Sequence, residues 1–206
     1  MANRVHSTAI VHESVVMGDG NIIGPYCIVG PGTVLGDENS LLSHVVVGSP
    51  AEKHGFFDGT GSRGVKIGSS NTFREFSTVH AGTLLPTAIG DRCFLLRGCH
   101  VGHDSVVEDD VTVSCSAMIG GESHVMRGAN LGLGCVLHQR TVVGSYSMIG
   151  MNAAVPKGKA VMPGCVFVGV PARYLKPNDV GLRRFKVDEP GLAAETKRWE
   201  ALCSRA

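Results

Sequence analysis

The sequence predicts an all-β fold, a parallel β-helix followed by a short C-terminal helix, on the basis of three observations. A large apolar residue recurs every six positions from Val5 to Val47, from Ile67 to Val79 and from Ile89 to Val155. As far as Ile149, the position four residues after each of these holds a small residue. The chain also has 28 glycines and only 5% aromatic residues. These features suit tight corners around a narrow interior.

A period of six fits neither an α-helix nor a simple alternating strand. It fits a β-helix in which each hexad forms one flat side and three hexads complete a coil. Parallel strands of neighbouring coils then stack about 4.8 Å apart, with the large apolar residue pointing inward. Five of the seven cysteines fall on the small inward position and are interpreted as buried apolar groups. They are Cys27, Cys93, Cys99, Cys135 and Cys165.

Two interruptions of the period predict loops that leave the β-helix. The first is the Gly-rich, charged segment GSPAEKHGFFDGTGSRGV, and the second surrounds LLPTA. The sequence therefore predicts a β-helix domain over residues 1–172, with an insertion at about 49–66, and a C-terminal extension over 173–206. In that extension Leu192, Trp199 and Leu202 have roughly helical spacing, which predicts the short helix.

Composition and charge narrow the class of protein. The 19 basic and 18 acidic residues nearly cancel, so a general nucleic-acid-binding surface is not expected. The N-terminal segment lacks the apolar run of a signal peptide, and no later segment has the length of a membrane span. Seven cysteines without a CxxC pair fit neither a disulfide framework nor a structural zinc site. We expect a cytoplasmic protein.

The segment GCHVGHDS contains the strongest candidate for chemistry. It places His100 and His103 three residues apart, with Asp104 directly after the second histidine. The six-residue register puts His80, His103 and His138 on one side of the prism, beside the exits of the two loops. A carboxylate next to an imidazole fixes its tautomer and raises its basicity. The pattern therefore favours His103 as a catalytic base.

Several longer segments extend this pattern into a family resemblance. With IGPYCIVGPGTVLG, NTFREFSTVHAGT, CHVGHDS and VLHQRTVVG, the chain from Val5 to about Val155 resembles the left-handed β-helix, hexapeptide-repeat acyltransferases. It is most similar to the UDP-N-acetylglucosamine acyltransferases of lipid A synthesis. The resemblance implies a homotrimer with active sites between neighbouring subunits, and outward apolar residues such as Phe73 and Phe76 would suit such an interface.

The same resemblance implies acyl transfer from a thioester, carried by acyl-carrier protein or coenzyme A, to a hydroxyl or amine of a sugar. The acceptor would be a nucleotide sugar such as UDP-N-acetylglucosamine, and no cofactor would be permanently bound. His103 would be the general base and Asp104 the group that orients it. The positions that the resemblance assigns to substrate binding are Lys53, His80, His100, Gly121, Glu122, His138, Gln139 and Met151.

Individual roles follow from the resemblance as well. Lys53 would bind a substrate phosphate, and the backbone of Gly121 would polarise the thioester carbonyl. Met151 falls on the position that measures the acyl chain, where a large residue implies a short or medium chain. Two positions depart from the family pattern, because Ala51 stands where an Asp is common and Glu122 replaces a His.

After the repeats the sequence resembles a different group. The segment AAVPKGKAVMPGCVFVGVPARYL is similar to the ending of acetyl-CoA-dependent hexapeptide transferases. By that resemblance Lys157 and Arg173 would approach coenzyme A phosphates. The identity of the acyl donor therefore stays open between acyl-carrier protein and coenzyme A. The main alternative function is that of an acetyl-CoA-dependent amino-sugar acetyltransferase.

Two further classes share this fold. In γ-class carbonic anhydrases three histidines hold a metal, and His80 and His103 occupy positions similar to two of them. Glu108 stands where the third histidine is expected, so a catalytic zinc site would lack a ligand and no metal is predicted. A non-catalytic β-helix scaffold is the other alternative.

Overall fold

The computed structural model describes residues 1–204 as a three-sided parallel β-helix followed by two α-helices. Its first face has ten strands: Arg4–Val5, Ile22–Ile23, Ser40–Leu41, Thr72–Phe73, Phe94–Leu95, Thr112–Val113, Asn130–Leu131, Met148–Ile149, Cys165–Val168 and Arg173–Pro177. The second face has eight: Ile10–Val11, Ile28–Val29, Val46–Ser49, Thr78–His80, His100–Val101, Met118–Ile119, Val136–Leu137 and Ala154–Val155. The third has seven: Val16–Met17, Thr33–Leu35, Val65–Ile67, Thr87–Ile89, Val106–Val107, His124–Val125 and Val142–Val143.

The six-residue period sets the register of these faces. Strands pair in parallel with the coil before and the coil after, as when Val101 pairs with both Val79 and Ile119 on the second face. The periodic apolar side chains fill the prism, and Val101 and Ile119 are completely buried. Val5, at the start of the repeats, is half-exposed because no preceding coil covers it. The predicted parallel β-helix is therefore confirmed.

The inward positions hold small residues because the interior of the prism is narrow, as the sequence predicts. Cys27, Cys93, Cys99 and Cys135 are all buried without a disulfide. Cys165 is partly exposed, because its strand belongs to the last coil and pairs antiparallel with Arg173–Pro177 in place of another coil. Phe73 also differs from the expectation: it is one of the periodic residues and is fully buried, so it cannot contribute to an interface. Phe76, at a corner, is exposed as expected.

Both interruptions of the period leave the prism after strands of the second face. Residues 50–64 connect Val46–Ser49 to Val65–Ile67, and residues 81–86 connect Thr78–His80 to Thr87–Ile89. We call them the long loop and the short loop. Since both join the second face to the third, they emerge at the same edge of the prism. That edge carries the candidate site.

The C-terminal segment forms two helices where the sequence predicts one. Helix α1 spans Asp179–Arg184 and helix α2 spans Glu189–Cys203. The side chains of Asn178 and Asp188 cap their first turns by accepting hydrogen bonds from backbone N–H groups. No helix within residues 1–204 is both long enough and apolar enough to cross a membrane.

Candidate active site

His103 and Asp104 form a buried pair at the corner that follows the strand His100–Val101. The Nδ1 atom of His103 lies 2.7 Å from Oδ2 of Asp104, and the two side chains are 12% and 5% exposed. Asp104 adopts the left-handed backbone conformation, with φ of 60°, as non-glycine residues do at many corners of this β-helix. This turn directs its carboxylate toward the short loop.

The short loop holds the Asp104 carboxylate through four hydrogen bonds. Backbone N–H groups of Thr83, Leu84 and Leu85 donate to Oδ1 at 2.8, 2.7 and 2.9 Å. The Thr83 hydroxyl donates to Oδ2 at 2.8 Å. Burial opposes ionisation, but the hydrogen bonds from Leu85, His103, Leu84 and Thr83 outweigh it and lower the pKa of Asp104 to about 2.

An ionised carboxylate determines which nitrogen of His103 carries the proton. Because the carboxylate can only accept, Nδ1 of His103 must be the donor. In the neutral ring Nε2 then has a free lone pair. A Cβ built on Gly121 would lie 2.8 Å from this Nε2, so the imidazole rests directly on the Gly121 backbone. Gly121 thus provides the space that the ring occupies.

Nε2 of His103 faces a cleft of about 390 Å³ on the second face. Both polar and apolar side chains line it, which suits a ligand with both kinds of surface. The polar lining residues are Glu52, His80, His100, His103, His138 and Gln139. The remaining lining residues are Met118, Ile119, Leu137 and the glycines Gly102, Gly120 and Gly121. Five sequence-predicted site residues besides the His103–Asp104 pair therefore line this cleft: His80, His100, Gly121, His138 and Gln139. Lys53 lines the adjoining cavity instead. Glu52 also lines the cleft, although the sequence did not predict it.

His80 and His100 lie edge to face, with ring centroids 4.6 Å apart. Nδ1 of His100 is 2.8 Å from the Thr78 hydroxyl, while Nε2 of His80 is 4.0 Å from Oε1 of Glu52. Burial lowers the pKa of both histidines; Glu52 acts in the opposite direction, and His103 adds to the lowering. Both rings are therefore neutral at pH 7.

Lys53 contacts the His103–Asp104 pair indirectly, through Thr83. Its ammonium donates to the Thr83 hydroxyl at 3.3 Å, and that hydroxyl donates to Asp104. The ammonium also lies 5.4 Å from the ring centroid of Phe56. A second cavity, of about 550 Å³, lies along the long loop at Lys53 and shares Glu52 and His80 with the cleft. A basic group thus borders the cleft from the loop side.

Two predicted substrate-binding residues do not line the cleft. The Glu122 carboxylate pairs with Arg140, at 3.0 Å from Nε and 3.3 Å from Nη2. Met151 is 68% exposed and lies between strands of the first and second faces, whereas His103 follows the second face on the way to the third. Within one chain, neither side chain contacts the His103 cleft.

The two predicted coenzyme-binding residues lie elsewhere. Lys157 lines a separate cleft of about 350 Å³ together with Arg140 and Lys159, and Cys203 closes one side. Arg173 is exposed at the start of the antiparallel strand Arg173–Pro177. The first location is a concentration of positive charge, and the second is an open surface.

Sequence reasoning missed Glu52 and Thr83. Glu52 belongs to the long loop, outside the register, whereas the register places Thr83 only as a small inward residue and does not indicate its contact with Asp104. The only signals were their neighbours, since Glu52 precedes Lys53 and Thr83 ends the motif segment NTFREFSTVHAGT.

The comparisons with known proteins agree with this architecture. Residues 14–49 match the family model described as bacterial transferase hexapeptide (six repeats). The acyl-[acyl-carrier-protein]–UDP-N-acetylglucosamine O-acyltransferase of Syntrophobacter fumaroxidans is 29% identical over 120 residues, which are 57% of this chain and 46% of that protein. The enzyme of the same name from Paraburkholderia xenovorans is 33% identical over 42% of this chain and 34% of its own length. The chain thus spans less than half the length of these relatives.

Solved structures extend the similarity over nearly the whole chain. The UDP-N-acetylglucosamine acyltransferase of Francisella novicida superposes with a TM-score of 0.79 at 26% identity, covering 94% of this chain and 77% of that one. The Campylobacter jejuni enzyme gives the same TM-score and identity, with 94% and 82% coverage. The predicted resemblance to left-handed, hexapeptide-repeat acyltransferases is confirmed.

Proposed function

We propose that this chain, which is related in sequence and fold to the UDP-N-acetylglucosamine acyltransferases, moves an acyl group from a thioester to a hydroxyl or amine of a nucleotide sugar. The observation that carries the proposal is the buried His103–Asp104 pair, whose free Nε2 faces a cleft of about 390 Å³. A neutral imidazole with an oriented lone pair is suited to act as a general base near pH 7. The names of the relatives favour UDP-N-acetylglucosamine as the acceptor.

In the proposed reaction, Nε2 of His103 takes the proton of the acceptor hydroxyl or amine. The acceptor oxygen or nitrogen attacks the thioester carbonyl carbon, and the C–S bond breaks. The imidazolium then returns its proton to the leaving thiolate. Asp104 stays ionised and stabilises the imidazolium, in keeping with its pKa of about 2.

Gly121 is the proposed donor to the developing oxyanion. Its backbone N–H makes no hydrogen bond to any residue between 1 and 204. It also lies directly beneath Nε2 of His103. A free backbone donor next to the base can stabilise the negative charge that forms on the carbonyl oxygen.

Lys53 is the proposed contact for a substrate phosphate. Within residues 1–204 its ammonium makes a single hydrogen bond, to Thr83, which leaves donors for an incoming anion. The cavity beside Lys53 adjoins the cleft through Glu52 and His80. A nucleotide diphosphate could therefore occupy the loop side while the sugar lies at His103.

The donor is proposed to be acyl-carrier protein, the carrier that the names of the relatives print. An acetyl-CoA-dependent amino-sugar acetyltransferase is the second candidate. The cleft lined by Lys157 and Lys159 favours it, because these two cations can bind the phosphates of coenzyme A, whereas Arg140 on its wall is paired with Glu122. Arg173 is proposed only as a peripheral contact in that case.

A homotrimer is part of the proposal. Met118, Leu133, Val136 and Met151 are all exposed apolar residues on the second face or the corner beside it. Such side chains suit a subunit interface, and a neighbouring subunit could bring Met151 or Glu122 to a shared cleft. A cytoplasmic location also stays a prediction.

The experiment that tests the function is release of free thiol from three donors: acetyl-CoA, a medium-chain acyl-CoA and acyl-carrier protein loaded with a hydroxyacyl chain. Each is incubated with UDP-N-acetylglucosamine and either wild type or His103→Ala. Turnover with one donor, abolished by the substitution, supports the proposal and identifies the carrier. The absence of turnover with every donor, or turnover that His103→Ala leaves intact, contradicts it and favours the scaffold alternative.

A further inference from the structure

Three side chains with metal-ligating groups converge at the rim of the cleft. Glu52 comes from the long loop, His80 ends the strand Thr78–His80, and His100 begins the strand of the next coil. One potential ligand atom from each lies within 4.8 Å of the other two. We propose that Glu52, His80 and His100 form a binding site for a divalent transition metal ion of the Zn²⁺ type. The site shares the cleft with His103, but the proposal does not depend on the proposed acyl transfer.

The environment of His100 prepares it to bind a metal. Its Nδ1 is 2.8 Å from the Thr78 hydroxyl, which leaves Nε2 free. Histidine ligands of metals typically donate their other ring N–H to such a partner, and this contact fixes the tautomer and the orientation of the ring. Thr78 is thus in the position of an outer-shell group for a metal at Nε2 of His100.

His80 is buried but lacks a hydrogen bond. Within residues 1–204 neither of its ring nitrogens has a partner, and Nδ1 is completely inaccessible. Its Nε2 is 4.0 Å from Oε1 of Glu52, too far for a hydrogen bond. A buried polar group without a partner is unfavourable. A cation between Nε2 and the Glu52 carboxylate would give Nε2 a partner, while the inaccessible Nδ1 would remain without one.

The three ligand groups would have to move only slightly closer together to coordinate one ion. Ligands around a tetrahedral Zn²⁺ with bonds of about 2.0–2.1 Å lie about 3.4 Å apart. The Glu52 side chain is 76% exposed on the long loop, so it can move toward the two histidines without disturbing the core. The histidines themselves are held by the second face. The rigid pair and the adjustable carboxylate together make a site with two nitrogens and one carboxylate.

The remaining coordination positions face the cleft. His80 and His100 line it together with His103, so a substrate oxygen could approach a bound metal and the catalytic base from the same side. Zn²⁺ sites with three protein ligands keep a fourth position open for water or substrate. Sequence reasoning predicted no metal because only His80 and His103 matched a known three-histidine pattern and Glu108 stood at the third position. The set proposed here instead joins His80 to His100 and to a carboxylate from outside the repeat.

The test is Co²⁺ binding by the full-length protein after treatment with a chelator, followed by visible absorption and by competition with Zn²⁺. Co²⁺ is used because its spectrum reports coordination geometry. We expect one ion per chain in a low-symmetry or tetrahedral site. Glu52→Gln and His100→Gln should each weaken binding about 100-fold or more, and Thr78→Val about 10-fold, the range found for outer-shell partners.

Asp58→Asn and His54→Asn are the matched controls, because both residues lie on the long loop outside the cluster. They should bind Co²⁺ as wild type does. Thermal melting of each variant without metal shows whether it is folded. Failure of wild type to bind Co²⁺, or binding that survives both Glu52→Gln and His100→Gln, overturns the proposal. The readout requires no acyl donor, so its outcome does not depend on the proposed enzyme activity.

Discussion

Thr83 donates two hydrogen bonds to Asp104, one from its backbone N–H and one from its hydroxyl, each 2.8 Å long. Asp104 in turn contacts Nδ1 of His103 at 2.7 Å. The orientation of the proposed base therefore depends on a loop that interrupts the repeat. The β-helix supplies the histidine, and the short loop fixes its partner.

Asp104→Asn should reduce kcat by about 10²–10⁴-fold, because the amide can stabilise the other tautomer of His103 and lacks the negative charge. The measurement is steady-state thiol release. Asp110→Asn is a matched control, since Asp110 also adopts a left-handed corner conformation and pairs with Arg92 away from the cleft. A kcat that is equal in the two variants would contradict the assigned role.

Thr83→Val should lower kcat by roughly tenfold, because it removes the hydroxyl that joins Lys53 to Asp104 while the backbone hydrogen bonds remain. Thr83→Ser should restore most of the activity. A purely structural role would instead lower the melting temperature of Thr83→Val in proportion to the lost activity. The pH profile of kcat/KM distinguishes a role in positioning Asp104 from a purely structural role. Only the loss of the hydrogen bond from Thr83 to Asp104 should shift this profile.

Gly121→Ala should inactivate the protein without unfolding it. The new Cβ would meet Nε2 of His103 at 2.8 Å, and an imidazole at the wall of a cleft can move aside. We expect kcat to fall by about 100-fold or more, since misplacing a catalytic group by about 1 Å has effects of that size. The measurement is kcat together with the melting temperature.

Gly120→Ala provides the contrast. Its Cβ would lie 2.5 Å from the backbone nitrogen of Gln139, and the backbone of the next coil cannot shift as easily as a side chain. This variant should lose about 1–3 kcal/mol of stability, the usual effect of overpacking. If Gly121→Ala were the less stable of the two, the contact with His103 would not be its main constraint.

The sequence predicts most of the fold because every coil repeats the same constraint. Val101 and Ile119 are buried for the reason that the six-residue period gives, and the same period brings His80, His103 and His138 to one side. Phe73 shows that residue type alone can mislead. It is buried because of its place in the six-residue register, although its aromatic side chain suggested an interface.

The loops are what the sequence could not place. Glu52 lies outside the period, and its contact with His80 depends on how the long loop folds back over the prism. Thr83 falls four residues after Val79, but its contact with Asp104 depends in the same way on the short loop. Glu122 has an expected position but an unexpected partner. Arg140 lies one coil away, and its guanidinium pairs with the Glu122 carboxylate, which the resemblance assigned to substrate binding.

Glu108 should make the attachment of helix α2 sensitive to acid. Its carboxylate accepts a hydrogen bond from Nε2 of His124 at 2.6 Å and pairs with Arg198 of that helix. Burial raises the pKa of Glu108, but the contacts with His124 and Arg198 outweigh it and lower the pKa from 4.5 to about 2. The folded state thus binds fewer protons than the unfolded state between these values.

The stabilisation from Glu108 is therefore complete above about pH 4.5 and is lost as the pH falls toward 2. Asp104, with a pKa lowered to about 2, acts in the same direction. Denaturant unfolding of wild type between pH 6 and 2 should show a free energy of unfolding that decreases as the pH falls. Glu108→Gln should make that decrease smaller and should lower the free energy of unfolding at pH 6 by about 1–3 kcal/mol. Glu13 is an exposed carboxylate with no hydrogen bond within residues 1–204. Glu13→Gln should therefore change neither the pH dependence of the free energy of unfolding nor its value at pH 6. An equal pH dependence in Glu108→Gln and wild type would show that this contact does not couple helix α2 to the β-helix.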